Sequence, residues 1–267
     1  MNDILAQILA NTRTEVAQAR ADRPADVLRQ TRGYQAPRRN FYGAVVVPHR
    51  GRPNLIAEIK RSSPSAGVIR PDLDPVAIAC MYHEAGAAAL SILTDRKHFD
   101  GRLEYIEAAK AAMPLPVLRK DFIIDAYQVY ESRAYGADAI LLIAEALPAA
   151  ELAALAGLAH ELELAVLVEV HTTEALRGVL TAIPLGLRPH LLLGINNRDL
   201  KAQRVDLATT ERVAEHAPPG LPIVSESGIR TRQDVQRLHH AGARALLIGE
   251  TLLRAPDPRA AIRALFA

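Results

Sequence analysis

The residues of this chain best suited to chemistry are lysines and glutamates at the ends of short apolar runs. Glu58 and Lys60 close the run Leu55-Ile56-Ala57, two positions apart, and the turn "RSSPSAG" follows at once. In an extended strand, positions i and i+2 point to one face, so these opposite charges share a face. Lys120 ends "LPVLRK" and Glu169 stands in "AVLVEV". Asn196 and Arg198 close "LLLGINNR", Glu226 and Ser227 close "LPIVSES", and Gly249 ends "RALLIG". Glu169 is flanked by Val166, Leu167, Val168 and Val170, and a carboxylate in that company must be paired, protonated or working. Taken singly, each has a plain reading. Glu58 and Lys60 could be a rim ion pair, Lys120 part of a charge run with Arg119 and Asp121, and Asn196 and Arg198 turn residues. Recurring at the same end of run after run, they describe one polar pocket equipped for proton transfer.

Other chemistries find little support. The nine histidines show no H-x-x-x-H pattern and there is no C-x-x-C pair, G-x-S-x-G elbow or P-loop. No metal site is expected. Cys80 is the only cysteine, which excludes an internal disulfide and suits a cytoplasmic setting. The net charge of +2 is too small to argue for nucleic acid. No apolar run is long enough to span a bilayer, and the N-terminus lacks the pattern of a secretory signal. The basic cluster Arg38, Arg39, Arg50 and Arg52 reads as solvated surface.

The elements that position these residues follow from the hydropathy pattern. From Leu55 onward, eight runs that are apolar on both faces alternate with amphipathic stretches of helix length, as in a covered parallel sheet. "AGAAALSIL", "YGADAILLI" and "AGARALLIG" repeat a Gly-Ala step, with Gly86, Gly136 and Gly242 each placed to end a helix. Eight βα units over residues 51–267 predict a (β/α)₈ barrel, whose active site lies at the C-terminal ends of the strands. A doubly wound sheet is the rival, but the first turn lacks its Gly-rich fingerprint. Ser227, Gly228 and Gly249, on the loops after strands seven and eight, fall where barrels bind phosphate. Residues 1–50 read as an extension. Ile4, Leu5, Ile8, Leu9 and Val16 form one helical stripe, and Pro24, Gly33, Pro37 and Gly43 break the remainder into loop. This extension is expected to act as a lid near the barrel mouth, whose deletion raises KM more than it harms the fold.

The strings "IAEIKRSSPSAGVI", "SILTDRKHFDG", "PVLRKDFIID", "LVEVH", "LGINNRDL", "VSESGI" and "LIGETL" resemble, in order, those of the indole-3-glycerol phosphate synthase family. The resemblance implies ring closure, decarboxylation and dehydration of 1-(2-carboxyphenylamino)-1-deoxyribulose 5-phosphate in tryptophan biosynthesis, with no cofactor. It further implies that Lys120 is the general acid of ring closure and Glu169 the partner acid/base for dehydration. Glu58 and Lys60 would orient them and hold the substrate carboxylate, Asn196 would lie near the sugar hydroxyls, and Glu226 would face the site. Ser63, Ser227, Gly228 and Gly249 match phosphate-binding positions, Arg198 borders the ligand, and Phe99, Phe122 and Leu141 would line the slot for the aromatic ring. The partner is then a phosphorylated small molecule, and the expected state is a monomer or weak homodimer. Two departures stand out: Ala66 occupies a position often basic in the family, and Glu250 one that is a small hydroxyl residue in some members. The alternatives are another phosphate-binding barrel enzyme, or a barrel that only binds a phosphorylated metabolite.

Overall fold

A computed structural model describes residues 4–47, 51–183, 190–199 and 204–267. Eight parallel strands close into a barrel in the order β1-β8-β7-β6-β5-β4-β3-β2. They are β1 (Asn54–Ile59), β2 (Ala89–Leu93), β3 (Val117–Lys120), β4 (Ala139–Ile143), β5 (Ala165–Val170), β6 (Leu191–Asn196), β7 (Ile223–Glu226) and β8 (Ala243–Ile248). Each coincides with one of the eight apolar runs. Closure is made by β1 against β8, with Asn54 opposite Ala245 and Ala57 opposite Ile248.

The strands alternate between two apolar environments. Leu55, Ala57 and Ile59 of β1 pack outward with the helix layer, for example against Ile78 and Tyr82 of the helix Pro75–Glu84. Ile56 points inward and meets Ala89, Leu118, Leu141, Leu167, Leu192, Val224, Ala245 and Leu247. These side chains fill the barrel as a packed core. The helices are set by local signals: Asp74 caps the helix that begins at Pro75, Asp125 caps Ala126–Ala134, and Thr231 with Asp234 forms a capping box for Arg232–His240. Gly86, Gly136 and Gly242 leave their helices with φ of 87°, 85° and 97°, which a side chain would resist.

The extension departs from expectation in three ways. The segment read as loop holds three short helices, α2 (Ala25–Arg29), α3 (Arg32–Gln35) and α4 (Phe41–Val46), after the long α1 (Ile4–Asp22). Propensity alone would not form them; burial does. Second, Arg38 and Arg39 are not solvated. Arg38 Nη1 donates to the carbonyls of Arg133 and Ala137 at 3.2 and 2.9 Å. Arg39 donates to those of Met113, Leu115 and Lys110 at 2.7–2.8 Å. These carbonyls lie at helix ends and strand approaches that lack ladder partners, and guanidinium forks fit them. Arg52 bonds the carbonyl of Phe266, and Arg50 lies outside the described residues. Third, Phe41 and Val45 of α4 are fully buried among the inward residues of the strands. Asn54, the first residue of β1, donates from Nδ2 to the carbonyls of Val45 and Val47 at 2.9 and 2.7 Å. So α4 plugs the N-terminal end of the barrel and belongs to its core, while α1 reaches the opposite end.

α1 is held by side chains of the helix Ala126–Ala134. The Tyr127 hydroxyl meets the carbonyls of Ala19 and Arg23, both at 2.9 Å, Arg20 pairs with Asp125, and Val16 packs with Leu28, Tyr127 and Ala134.

Candidate active site

The C-terminal ends of the strands form a pocket with a charged floor. Lys120, at the end of β3, donates from Nζ to Glu169 Oε2 of β5 at 2.7 Å, and Glu226 Oε2 of β7 lies 3.1 Å from the same nitrogen. Across from them Lys60 Nζ is 2.6 Å from Glu58 Oε1, as the i, i+2 spacing on β1 predicted. Glu169 and Glu226 are each 2 % exposed by side chain and Lys120 13 %. The floor therefore has little contact with solvent, and each charge depends on its neighbours.

The surroundings divide the two carboxylates. Burial alone would raise the pKa of Glu169, but the Lys120 ammonium, with His171 and a hydrogen bond from Asn196, outweighs it and holds the group well below the usual carboxylate range. Burial raises Glu226, Lys120 works against it, and the nearby Glu169 charge adds to it, so the carboxyl is pushed up to about 8. One lysine between two buried carboxylates thus keeps one ionised and leaves the other able to carry a proton near neutrality. For Lys120, burial lowers the pKa, but Glu169, Glu226 and Glu58 more than offset it, and the ammonium is held well above its ordinary value.

Two glycines make room for this floor. A Cβ on Gly194 of β6 would sit 2.4 Å from Glu226 Oε1, and one on Gly249 would sit 2.4 Å from Glu58 Oε1. Asn196, at the end of β6, accepts from the Arg198 amide at 3.0 Å through Oδ1, which ties the strand end to the loop carrying Arg198. Behind them, Asn197 donates from Nδ2 to Ser225 Oγ and to the carbonyls of Glu226 and Ser227 at 2.9–3.1 Å, and its Oδ1 accepts from Thr210. This fixes the loop after β7, where Ser227 takes a φ of 68°.

All fourteen residues singled out from the sequence line this one pocket. Leu141 lies on the apolar side of the floor; Phe99 and Phe122 stand together with ring centroids 6.2 Å apart. Ser63, Ser227, Gly228 and Gly249 border the other side with Arg198. Ala66 packs against the hydrophobic core. Glu250 does line the pocket, but its carboxylate is met by Arg254 Nε at 3.0 Å and Arg198 Nη2 at 3.9 Å.

Ile4, Leu5 and Ile8 of α1 roof the pocket, where the extension was expected as a lid. Sequence reasoning missed Leu93, Ile143 and Leu247, which extend its apolar wall. His171 escaped too, although it follows Glu169 by two positions and so obeys the same rule that paired Glu58 with Lys60. Its Nε2 lies 3.6 Å from Glu169 Oε1 and its Nδ1 3.3 Å from Glu145 Oε2. Among the described residues no group of three or more metal-ligating side chains comes together. No helix among them is long and apolar enough to cross a membrane.

A closed parallel barrel with lysines and carboxylates converging on its C-terminal mouth defines an enzyme of the (β/α)₈ class. Two solved structures share the fold. 3-Hexulose-6-phosphate synthase from Salmonella typhimurium matches with a TM-score of 0.63 at 14% identity, covering 79% of this chain and 96% of that one. Thiamine phosphate pyrophosphorylase from Pyrococcus furiosus matches with a TM-score of 0.58 at 17% identity, covering 81% and 94%. The chain belongs to the indole-3-glycerol phosphate synthase family, whose model matches residues 5–265. Relatives carrying that name are 48% identical in Rhodospirillum rubrum, over 99% of both chains, and 46% identical in Chromobacterium violaceum, over 100% of this chain and 98% of the other.

Proposed function

We propose that this chain converts 1-(2-carboxyphenylamino)-1-deoxyribulose 5-phosphate into indole-3-glycerol phosphate, CO₂ and water, the family's step in tryptophan biosynthesis. The observation that carries this reading is the single ammonium of Lys120 set between Glu169 and Glu226, opposite the Lys60–Glu58 pair. A barrel that only bound a phosphorylated metabolite would need cations, but not two buried carboxylates around one of them.

The reaction assigns a task to each group. The ring carbon bearing the carboxylate attacks the ketone, and Lys120 gives its proton to the ketone oxygen as the new bond forms. CO₂ leaves and its bonding electrons restore the aromatic ring. The neighbouring methylene then loses a proton to Glu169, which is ionised and therefore a base, and the carboxyl so formed returns that proton to the new hydroxyl, which departs as water. Lys60, balanced by Glu58, holds the substrate carboxylate, and Asn196 faces the sugar hydroxyls. Ser63, Ser227, Gly228, Gly249 and Arg198 hold the phosphate, while Phe99, Phe122 and Leu141 enclose the ring, roofed by α1. The barrel over residues 51–267 carries the chemistry and the extension over 1–50 supplies roof and plug. The reading calls for no cofactor, and the lone Cys80 suits the cytoplasm, with the chain working as a monomer or weak homodimer.

The direct test mixes purified protein with that substrate in EDTA-containing buffer and follows indole absorbance together with CO₂. The chain has no tryptophan, so the indole signal stands on a low background. Product and CO₂ in equal amounts are the expected result. Saturable binding of the substrate without product would replace the reading with that of a binding barrel.

A further inference from the structure

The proposed reaction consumes one proton per turnover. The substrate's carboxylate leaves as neutral CO₂, and the ketone oxygen keeps the proton that Lys120 gave it. The later loss of water removes one hydroxyl and one carbon-bound proton together and so balances itself. After each cycle Lys120 is a neutral amine and must be reloaded from solvent. Lys120, Glu169 and Glu226 are all nearly buried, and bound substrate fills the mouth above them.

We propose that His171 and Glu145 form the proton inlet that reloads Lys120 through Glu169. The inference rests on the function proposed above. Glu145 follows β4 and faces solvent, and its Oε1 accepts from the His171 backbone amide at 2.8 Å. That bond holds the imidazole between two carboxylates, with Nδ1 3.3 Å from Glu145 Oε2 and Nε2 3.6 Å from Glu169 Oε1. Both ring nitrogens are buried without a hydrogen bond, so the ring is placed to make one with either side. Glu169 Oε2, the other oxygen of the same carboxylate, is 2.7 Å from Lys120 Nζ. The order Glu145–His171–Glu169–Lys120 thus leads from the surface to the general acid. Its two long gaps are of the size that closes on substrate binding.

The direction of transfer follows from charge. While Lys120 is charged it holds Glu169 ionised. Once Lys120 has given up its proton, Glu169 loses that stabilisation and becomes a better acceptor. An imidazolium at His171 then passes its Nε2 proton to Glu169 Oε1, rotation of that carboxyl about its Cγ–Cδ bond presents the proton to the free amine, and a flip of the now neutral ring turns its bare nitrogen toward Glu145 to be recharged. Histidine shuttles protons in this way because both nitrogens can carry one. Glu145, Glu169 and, further off, Glu226 are the charges that face the ring, and they favour its protonated form against burial.

Rapid mixing of substrate with His171→Ala, His171→Asn and Glu145→Gln tests the inlet. The first turnover draws on the proton already held by Lys120 and is expected within about threefold of wild type. Later turnovers should slow by tenfold or more in the His171 variants, giving a burst, with KM unchanged within twofold. Added imidazole should restore the steady rate of His171→Ala. Glu145 lies at the surface, so Glu145→Gln keeps the fold and should show the same burst in weaker form. Steady rates equal to wild type in all three variants would overturn the inlet, as would equal slowing of first and later turnovers without rescue by imidazole. Absence of product from wild type would remove the proposed reaction and the inlet together, whereas product from wild type with unslowed variants removes the inlet alone.

Discussion

The α-carbon of Gly249 rests against the carboxylate of Glu58, so closely that a methyl group there would stand 2.4 Å from Oε1. The glycine that ends β8 is therefore needed for space as well as for any amide it offers to phosphate. Glu58 cannot yield freely, because Lys60 holds the same oxygen at 2.6 Å. In Gly249→Ala the carboxylate must move and Lys60 with it. Displacement of catalytic groups by about 1 Å can cost 10²-fold. The expected outcome is a loss of about that size in kcat/KM in a protein that still melts cooperatively, measured by steady-state assay and circular dichroism. Activity within threefold of wild type would show that the Glu58–Lys60 pair is not held for catalysis.

Lys120→Met removes the cation between two buried carboxylates. Acid–base groups contribute about 10²–10⁴-fold to rate, and a loss in that range is expected for indole formation. Turnover near that of wild type would take Lys120 out of its role.

Glu226 gives the stability curve a distinctive slope. Its folded pKa of about 8 lies above the ordinary carboxylate value, so between roughly pH 4.5 and 8 the folded chain binds more protons than the unfolded one. Stability should fall as pH rises through this window and level off above it. Glu169 behaves oppositely: its folded pKa is depressed, so the stability it confers is present above the ordinary carboxylate value and is lost as pH falls below it. Melting temperatures of wild type and Glu226→Gln across pH 5 to 9 check this, the variant being expected to lack the decline toward pH 8. Parallel curves would refute the raised pKa.

Glu250 lines the pocket beside the residues proposed to hold the phosphate, and its carboxylate has both Arg198 and Arg254 as partners. A carboxylate there opposes an anionic ligand and occupies a cation the ligand could use. Glu250→Ser is expected to lower KM by about two- to tenfold, the size of a screened charge–charge interaction, with kcat little changed. An unchanged or raised KM would mean that Glu250 serves to hold Arg198 in place.

The two ends of the extension should separate in mutagenesis. Leu5→Ser, in the roof over the pocket, is expected to raise KM while the melting temperature stays near wild type. Phe41→Ala opens a cavity in the barrel core and should cost about 3–5 kcal/mol, seen in denaturant titration, while the folded fraction keeps its turnover. Equal effects of both on KM and stability would contradict the division into roof and plug.

The strands and the charged floor were legible because a covered parallel sheet writes itself as apolar runs, and a period of two assigns faces. Glu58 with Lys60, and Glu169 as a carboxylate that must be paired, followed from those rules alone. The plug was not legible. Phe41–Val46 is six residues long and holds Gly43 and two valines, a poor helix by propensity, and only the enclosing strands stabilise it. Arg38 and Arg39 look like surface charges because a sequence shows cations but not the carbonyls that wait for them. The stripe Ile4, Leu5 and Ile8 announced a buried face and a lid near the mouth, but not which residues of the mouth it would meet. His171 was within reach of the i, i+2 rule, but it follows the apolar run and opens a turn, where a lone histidine carries little signal.

The plug has a consequence for the order in which the molecule can be completed during synthesis. Phe41 and Val45 leave the ribosome before any strand, and Asn54 soon afterwards, yet the wall that encloses them is finished by Ala245 and Leu247 of the last strand. Until then α1, α2 and α3 can dock on the helix Ala126–Ala134, which emerges midway. A nascent chain would thus carry an anchored N-terminal arm and an open half-shell, with Phe41 waiting in its base for the final strand to seal the cylinder.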